Sequence, residues 1–445
     1  MTYLGNSPTA QNYAPAVDFF SGNASTTAFT LSRPVATVAQ MVIAIDNVIQ
    51  NPGSAYTVSG NVVTFTSAPL AGTNNIWVSY TSPITQVMQP GQGTVGDAQL
   101  GSITKIPFAS GQIIGAGNSS LMKNRIINGA MVIDQRNAGA SVTPTAGAYT
   151  LDRWALGVSQ ASKMSVQQNA GSVTLPVGFS NYLGVTTVSA YSIGASDYFQ
   201  LAQAIEGYNI ADLGWGTANA KTVTLSFQVY SSLTGTFGGA VKNSAANRSY
   251  PFTYSIPVAN TWTTISVTIA GDTTGTWLTT NGIGINLVFG LGMGSTFSGT
   301  AGTWAAANYG SATGATSVVG TNGATFYITG VQLEVGSSAT GYEYRQYGQE
   351  LRLCQRYYQI FNSGTGAAYP SAAGAQSISV VNFPVTMRSA PTITAGAVTA
   401  SNNAASDNFT LQSPTAVGCA YTTVQGGSAG NWWQTRNNNA ANSEL

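Results

Sequence analysis

The sequence contains no histidine and has only two cysteines, Cys354 and Cys419. Without histidine, Ser-His-Asp and Cys-His catalysis are excluded, and so are nearly all zinc sites. Two thiols so far apart in the sequence do not make a disulfide framework, and we expect both to be free. The sequence therefore predicts no metal site and no cofactor, and it predicts that the protein is not an enzyme.

Charge is also scarce. Charged residues make up 7% of the chain, and 15 basic against 14 acidic residues leave a net charge of +1. Ordinary soluble domains carry about 25% charged residues. No basic stripe is present to neutralise phosphates, which excludes nucleic acid as a partner. A surface of Ser, Thr, Asn, Gln and Gly suits a subunit of a large assembly, because a free monomer needs charge to resist association.

Long apolar runs and leader features are missing as well. No uninterrupted apolar stretch reaches the roughly 18 residues that a membrane-spanning helix needs, so we expect no membrane insertion. Residues 1–6 lack the basic and apolar regions of a signal peptide. We therefore expect the protein to be made and kept in a cytoplasm until it is released.

What the sequence has in abundance favours β-structure. Its 51 glycines and 16 prolines indicate many turns, while Val, Thr, Tyr, Phe and Trp suit pleated sheets. The 445 residues predict roughly three domains of about 150 residues each. No internal repeat of fixed period is present, which disfavours a solenoid or a parallel β-helix. The predicted fold is all-β, a multi-domain β-sandwich or jelly-roll chain with one short helix.

Alternating apolar and polar residues divide this fold into segments. Strands are expected over residues 221–230, 261–269, 282–289 and 325–334, and within the first two the side chains alternate clearly with a period of two. The glycine-rich segments 235–239 and 290–294 are interpreted as turns, because no Lys-Ser/Thr follows to form a phosphate loop. The predicted order is an N-terminal β-domain (1–85), an extended linker (86–124), a jelly roll (125–345), a connecting helix (346–361) and a C-terminal β-domain (362–445).

One segment has helical rather than β periodicity. Leu351, Cys354 and Tyr358 follow one another at i, i+3 and i+7, a spacing that places them on one side of a helix. Oligomers are usually symmetric, and a short helix with this apolar spacing suits a threefold axis. We therefore predict that these three residues meet two further copies of the helix in a homotrimer.

Two groups of short motifs resemble a known family. Residues 124–129 (NRIING), 134–136 (DQR) and 151–154 (LDRW) open the middle region, while 330–336 (GVQLEVG), 339–345 (ATGYEYR) and 349–358 (QELRLCQRYY) close it. Together they resemble the two ends of a domain in many bacteriophage tail-fibre and virion structural proteins, and they bracket about half of the chain. The first 85 residues also resemble the virion-anchoring domain on fibres of short-tailed phages.

The resemblance implies a trimeric fibre of the phage virion, assembled in the host cytoplasm. It implies that the N-terminal domain binds other phage tail proteins and that the middle jelly roll is similar to carbohydrate-binding domains. The C-terminal domain would then face the host, with a bacterial surface glycan or protein as its partner.

The two motif groups also predict a cluster of charged side chains where the ends of the middle region meet. The first and last strands of a jelly roll often pair, which brings residues 126–136 close to 326–335. Arg–carboxylate pairs there would fix the closure of the domain or a contact between subunits. The predicted members are Asp134, Arg136, Asp152, Arg153, Glu334, Glu343 and Arg345.

One group of acidic residues is a weak candidate for a catalytic site that cleaves glycans. Asp197, Glu206 and Asp212 lie close in sequence among aromatic residues, and glycan cleavage needs two carboxylates roughly 5–9.5 Å apart. A polar loop beside aromatic core residues explains the same pattern better. We therefore predict no catalytic residue.

Binding sites are predicted from aromatic residues beside polar ones, because sugars stack on rings and bind to amides and guanidinium groups. The C-terminal candidates for receptor contact are Asn431, Trp432, Trp433 and Arg436. In the alternative interpretation, the two tryptophans alternate on a strand between the core and a subunit interface. A second candidate glycan site consists of Trp277, Trp304 and Tyr309.

These expectations favour one function and leave others open. The leading hypothesis is a tail-fibre protein that recognises the host surface and mediates adsorption by non-catalytic binding, most readily to a glycan. The alternative is a tail adaptor or decoration protein that joins virion components. A glycan-cleaving tailspike is a weaker alternative, because acids are few and no β-helix repeat is present.

Overall fold

The computed structural model describes residues 17–81, 106–107, 113–114, 123–371, 376–402, 410–424 and 430–445. The chain divides into two units, Met1–Ile103 and Thr104–Leu445. Most of the linker predicted over 86–124 lies outside the described residues. No helix in the described ranges is long and apolar enough to cross a membrane.

The first unit contains two small antiparallel sheets. Its strands are β1 (Val17–Phe20), β2 (Ala28–Thr30), β3 (Met41–Ile45), β4 (Val48–Ile49), β5 (Tyr56–Ser59), β6 (Val62–Phe65) and β7 (Ile76–Tyr80). They form sheets of order β1-β7-β3-β4 and β2-β6-β5. Ile43, Val63 and Val78 form the centre of the core, each 0% exposed. Gly60 turns between β5 and β6 at φ +61°, a left-handed conformation that favours glycine.

The second unit contains the remaining elements of the chain. In order they are β8 (Ile106–Pro107), β9 (Ile113–Ile114), β10 (Ala148–Leu151), β11 (Trp154–Val158), β12 (Met164–Gln168), β13 (Leu183–Thr187), β14 (Tyr198–Glu206), β15 (Val223–Ser231), β16 (Gly235–Lys242), β17 (Ser249–Ile256), β18 (Thr263–Ile269), β19 (Ile283–Met293), β20 (Ser298–Gly299), β21 (Ser311–Ala312), β22 (Thr325–Val335), α1 (Tyr347–Gln355), β23 (Tyr358–Ser371), β24 (Gln376–Asn382), β25 (Thr392–Thr394), β26 (Val398–Asn402), β27 (Thr410–Thr415), β28 (Gly418–Val424) and β29 (Gly430–Asn442).

Two sheets of this unit form a β-sandwich. A six-stranded sheet has the order β10-β11-β14-β19-β16-β17, and a five-stranded sheet has the order β12-β13-β22-β15-β18. Apolar side chains from alternate positions of both sheets fill one core, in which Leu225 and Phe289 are 0% exposed. The four strands expected in this region are confirmed as β15, β18, β19 and β22. The all-β fold with one short α-helix is likewise confirmed for the described residues.

The prediction that two glycine-rich segments form turns is wrong. Segments 235–239 and 290–294 were interpreted as turns, yet Gly235–Gly239 begin β16 and Gly290 lies within β19. Gly238 and Gly290 are paired across these strands. A Cβ atom on Gly238 would lie 2.3 Å from Ser311 Oγ, so glycine is needed where a covering segment crosses the sheet.

The last part of the unit contains α1 and two more sheets. Strands β23, β29 and β25 form one sheet, to which β26 adds by pairing with β29, and the other sheet has the order β24-β28-β27. The helix ends at Gln355, short of the predicted 361, because Tyr358 pairs with Asn442 in the first of these sheets. Tertiary pairing has therefore overridden the helical spacing at Tyr358.

Candidate functional site

The two motif groups meet along β22. Arg125 N donates to Leu333 O at 2.9 Å, and Val331 N donates to Gly129 O at 2.9 Å. The segment 126–136 that makes these contacts is not a regular strand, because Asn128 and Met131 adopt left-handed backbone angles of φ 57° and 59°. A Cβ atom on Gly129 would lie 2.1 Å from Val331 O, so the NRIING motif needs its glycine for this close approach.

The predicted charged residues separate into two groups. In the first group, Glu334 lies 3.9 Å from Lys123, while Arg345 lies 3.7 Å from Glu343 and 3.5 Å from Glu350. These pairs lie beside β22, where the two motif groups meet. Lys123 and Glu350 are partners that the sequence argument did not include.

The second group gathers around Glu444. Arg136 pairs with Glu444 at 2.7 Å, and the Arg153 guanidinium also binds the Glu444 carboxylate. Asp152 accepts hydrogen bonds from Gln135 N and Nε2, both at 2.7 Å. Asp134 accepts hydrogen bonds from two nearby backbone groups, Asn137 N at 2.9 Å and Gly139 N at 2.7 Å. Glu444 was missed because it is far from both arginines in sequence.

The three acids considered for catalysis make structural contacts. Glu206 accepts from Arg356 Nε at 2.8 Å and from Tyr357 Oη at 2.6 Å. Asp212 pairs with Arg125 at 2.7 Å. Asp197 accepts from Tyr191 Oη at 2.9 Å and from Gly194 N at 2.8 Å. No group of three or more metal-ligating side chains is present in the described ranges.

Two buried carboxylates should control the stability of the sandwich in acid. Burial raises the pKa of Asp152 to about 6, against the lowering effect of hydrogen bonds from Gln135. For Glu206, burial also raises the pKa, but hydrogen bonds from Arg356 and Tyr357 outweigh it, so the pKa lies below its ordinary value of 4.5. The two groups therefore act in opposite directions.

We predict that the free energy of unfolding is greatest near pH 4. At lower pH Glu206 becomes protonated and its contribution is lost. As the pH rises from about 4 to about 6, Asp152 is already ionised in the unfolded chain but still protonated in the folded one, which lowers the free energy of unfolding by up to about 3 kcal/mol. Urea unfolding from pH 3 to 8 measures this, and Asp152→Asn should remove the decline between about pH 4 and 6. An unchanged decline in this variant would contradict the assignment.

The tryptophans of the second candidate glycan site form a packed cluster. Trp277 contacts Trp215 and Trp304 edge to face, at centroid distances of 4.8 and 5.5 Å. Trp277 is 7% exposed, and its Nε1 donates to Asp272 at 3.1 Å. Trp304 Nε1 donates to Ala270 O at 2.8 Å. Because these rings pack against one another, they leave little aromatic surface on which a sugar could stack.

Tyr309 is separate from that cluster and lies beside a cleft. The cleft has a volume of about 260 Å³ and opens on the six-stranded sheet. Its lining comes from β14, β16 and β19 below and from the segment between β19 and β21 above. The lining residues are Tyr198, Gln200, Lys242, Met293, Phe297, Asn308 and Gly310.

Strand alternation puts the cleft on the outer face of the sheet. Phe199 and Leu201 are 0% exposed and point into the sandwich core, so Tyr198 and Gln200 point the other way. Val241 is likewise in the core and Lys242 on the outer face.

The cleft has an aromatic wall and several polar side chains. The rings of Tyr198 and Phe297 lie edge to face, with centroids 5.7 Å apart. Lys242 Nζ donates to Asn308 Oδ1 at 3.1 Å. The Gln200 amide forms no hydrogen bond with the described residues. The arrangement therefore offers an apolar surface, two amides and an amine to a ligand.

The C-terminal candidates are only partly described. Asn431, Trp432 and Trp433 lie within β29, but their side chains lie outside the described residues. Arg436 is 8% exposed, and its Nη1 donates to Gly396 O at 3.0 Å. Arg436 thus stabilises its own sheet.

The helix residues predicted for the trimer axis pack within the chain. Cys354 is 0% exposed and forms a core cluster with Ile127, Ile133 and Tyr357, against which Leu351 is partly buried. Tyr358 lies in β23, where the Arg136 guanidinium sits 3.8 Å from its ring centroid. These side chains are therefore already in contact with other residues of their own chain.

No protein-family model matches the sequence, and a search of curated proteins finds no match. Solved structures show a distant likeness, for example the enzymatically active domain of tailspike protein 4 of bacteriophage CBA120. That likeness has a TM-score of 0.27 and 12% identity, and it covers 48% of this chain but only 22% of the tailspike chain.

Two further structures are similar at the same level. The family 11 carbohydrate-binding module of Clostridium thermocellum cellulase Lic26A-Cel5E has a TM-score of 0.23 and 14% identity over 46% of this chain and 100% of the module. Discoidin II of Dictyostelium discoideum has a TM-score of 0.17 and 9% identity over 58% and 81% of the two chains. Likeness at these scores does not assign a function.

Proposed function

We propose that this chain is a glycan-binding subunit of a phage tail fibre, which attaches the virion to the host surface without cleaving the glycan. The observation that carries glycan binding is the cleft of about 260 Å³ on the six-stranded sheet. Its aromatic wall can pack against a sugar ring, while the amides of Gln200 and Asn308 can bind hydroxyl groups. A concave site with a few convergent polar groups is typical of small-ligand binding.

The chemistry of the cleft favours binding over catalysis. None of its seven lining residues is a carboxylic acid. Hydrolysis of a glycosidic bond usually requires two carboxylates on either side of it. The nearest acid in sequence, Asp197, is held by hydrogen bonds from Ser159, Tyr191 and Gly194. The proposal is therefore non-catalytic.

The tail-fibre role is supported by the motifs. The NRIING and GVQLEVG segments resemble the ends of a domain of tail-fibre proteins, and their backbones are hydrogen-bonded to each other. A charge content of 7% suits a subunit that remains in an assembly. The proposal includes a homotrimer in the virion, attached to other tail proteins through its N-terminal domain. Repeated weak contacts would raise avidity by roughly 10²–10⁴.

An adaptor role is a second candidate, and one observation favours it. Ile378 and Val380 alternate on β24 and are 66% and 68% exposed. Large apolar side chains that are exposed on neighbouring positions of one strand face are typical of a protein-binding surface. In the adaptor alternative, this face of the last unit binds another virion protein.

The cleft is tested by Tyr198→Ala. Loss of the ring should weaken binding to a cell-surface oligosaccharide by about fivefold, because stacking on one aromatic ring contributes roughly 1 kcal/mol. The matched control is Tyr208→Ala, which removes a tyrosine that is 61% exposed outside the cleft. Binding of the full chain to a glycan array identifies the oligosaccharide, and calorimetry measures the affinity.

The outcomes separate the two roles. Saturable binding of an oligomer to glycans, weakened by Tyr198→Ala alone, supports the tail-fibre proposal. A folded oligomer that binds no glycan and no bacterial cell would favour the adaptor. A monomer at micromolar concentration, by light scattering, would contradict the proposed trimer.

A further inference from the structure

Lys242 is the unusual residue of the cleft. It is 8% exposed, and Asn308 Oδ1 at 3.1 Å is its hydrogen-bond acceptor. Lys242 has no carboxylate partner among the described residues. Burial accordingly lowers the pKa of its amine below the ordinary value of 10.5.

Several other buried charges among the described residues are paired. Arg153 is bound to Glu444, Glu206 to Arg356, and Asp272 to Arg248 through two hydrogen bonds of 2.7 and 2.8 Å. Burying a charge without an opposite charge is costly, and a methionine would fill the same space without that cost. A buried charge that lacks an opposite charge is therefore most often found at a functional site.

We infer that the cleft binds an anionic sugar, with the negative group of the sugar seated against Lys242. This inference rests on the proposed glycan binding and names the class of glycan. The ligand would supply the opposite charge that the described residues do not, while Gln200 and Asn308 bind its hydroxyl groups. A lysine ammonium group acts as a point charge, so it can bind a carboxylate, a sulfate or a phosphate.

The size of the cleft limits the occupant. Small-molecule sites usually have volumes of roughly 300–1,000 Å³. At about 260 Å³ this cleft is slightly smaller than that range. It suits one acidic sugar unit or the end of a chain, with the rest of the glycan in solvent.

The test uses the full chain and pairs of oligosaccharides that differ only in charge. Galacturonate oligosaccharides are compared with their carboxyl-reduced, neutral forms, and sulfated oligosaccharides form a third arm. We expect wild-type protein to prefer a charged form by on the order of 30-fold, with affinity falling as salt is added. The third arm distinguishes carboxylate from sulfate as the source of the charge.

Variants then assign the preference to Lys242. Lys242→Met should lose the preference for the charged form, while Lys242→Arg should retain part of it. Lys221→Met is the control, because Lys221 is exposed and does not line the cleft. Thermal melting verifies that each variant is folded.

Equal binding of charged and neutral forms by wild-type protein would overturn the inference and leave glycan binding intact. A preference that persists in folded Lys242→Met would also overturn it. Absence of binding to every glycan would overturn both the inference and the proposed function. The comparison of charged and neutral sugars needs only wild-type protein, so it decides the question even if Lys242→Met does not fold.

Discussion

Replacing Asn128 by alanine should lower the free energy of unfolding of the sandwich by about 3–5 kcal/mol. Asn128 is 0% exposed, and its Nδ2 donates to Ile133 O at 2.8 Å and to Asp152 O at 3.0 Å. Its Oδ1 accepts from Ile133 N at 3.0 Å. Alanine would leave these three buried backbone groups without the partners that Asn128 provides, at a cost of about 1–3 kcal/mol for each unsatisfied group.

Backbone conformation alone does not account for this effect. Asn128 has φ 57°, and asparagine tolerates the left-handed region better than alanine does. Asn260→Ala is the matched control, because Asn260 has φ 55° but is exposed and its side chain forms no hydrogen bond with the described residues. The control should cost about 1 kcal/mol. Urea unfolding followed by tryptophan fluorescence compares the two. Equal losses would mean that the side-chain hydrogen bonds of Asn128 contribute nothing to stability.

Asn128 also shows how far the sequence predicts this region. The motifs indicated that residues near 126–136 and 326–335 meet, and the backbone contacts of Arg125 with Leu333 are of that kind. The left-handed turn at Asn128 was not predictable, because it depends on acceptors at Ile133 and Asp152 that only the folded chain brings together. Period-two alternation reports which face of a strand is buried, but not where a strand is interrupted.

The cleft was missed for a related reason. Tyr198, Lys242 and Asn308 come from three separate segments, and no spacing in the sequence connects them. Two features of the sequence do point to the cleft once the structure is known. Gly238 and Gly290 lie inside apolar strands, where glycine marks a close approach of another segment. Lys242 ends the strand Gly235–Lys242, in which it is the only charged residue.

Aromatic content was a weaker guide than expected. Trp277 and Trp304 are candidates because aromatic residues bind sugars, yet their rings pack against each other and against Trp215. Residue type alone does not report which way a ring points. Tyr198 begins the strand Tyr198–Glu206 beside the buried Phe199, and it contributes to the cleft because it faces away from the core.

Glu444→Gln should destabilise the second unit by about 3–5 kcal/mol, because it leaves a buried cation without its carboxylate. The Glu444 side chain is 5% exposed and binds both Arg136 and Arg153, whose side chains are 10% and 1% exposed. The Arg153 guanidinium also lies 3.6 Å from the ring centroid of Tyr357. Arg153 cannot reach solvent without leaving this ring. Thermal and urea unfolding of the full chain measure the loss.

A surface pair in the same unit provides the control. Asp212 is 46% exposed and pairs with Arg125 at 2.7 Å, so Asp212→Asn should cost at most about 1 kcal/mol. The double variant Arg153→Met/Glu444→Gln should recover part of the loss, since it removes the buried charge together with its partner. If Glu444→Gln cost no more than Asp212→Asn, the two arginines would not depend on Glu444.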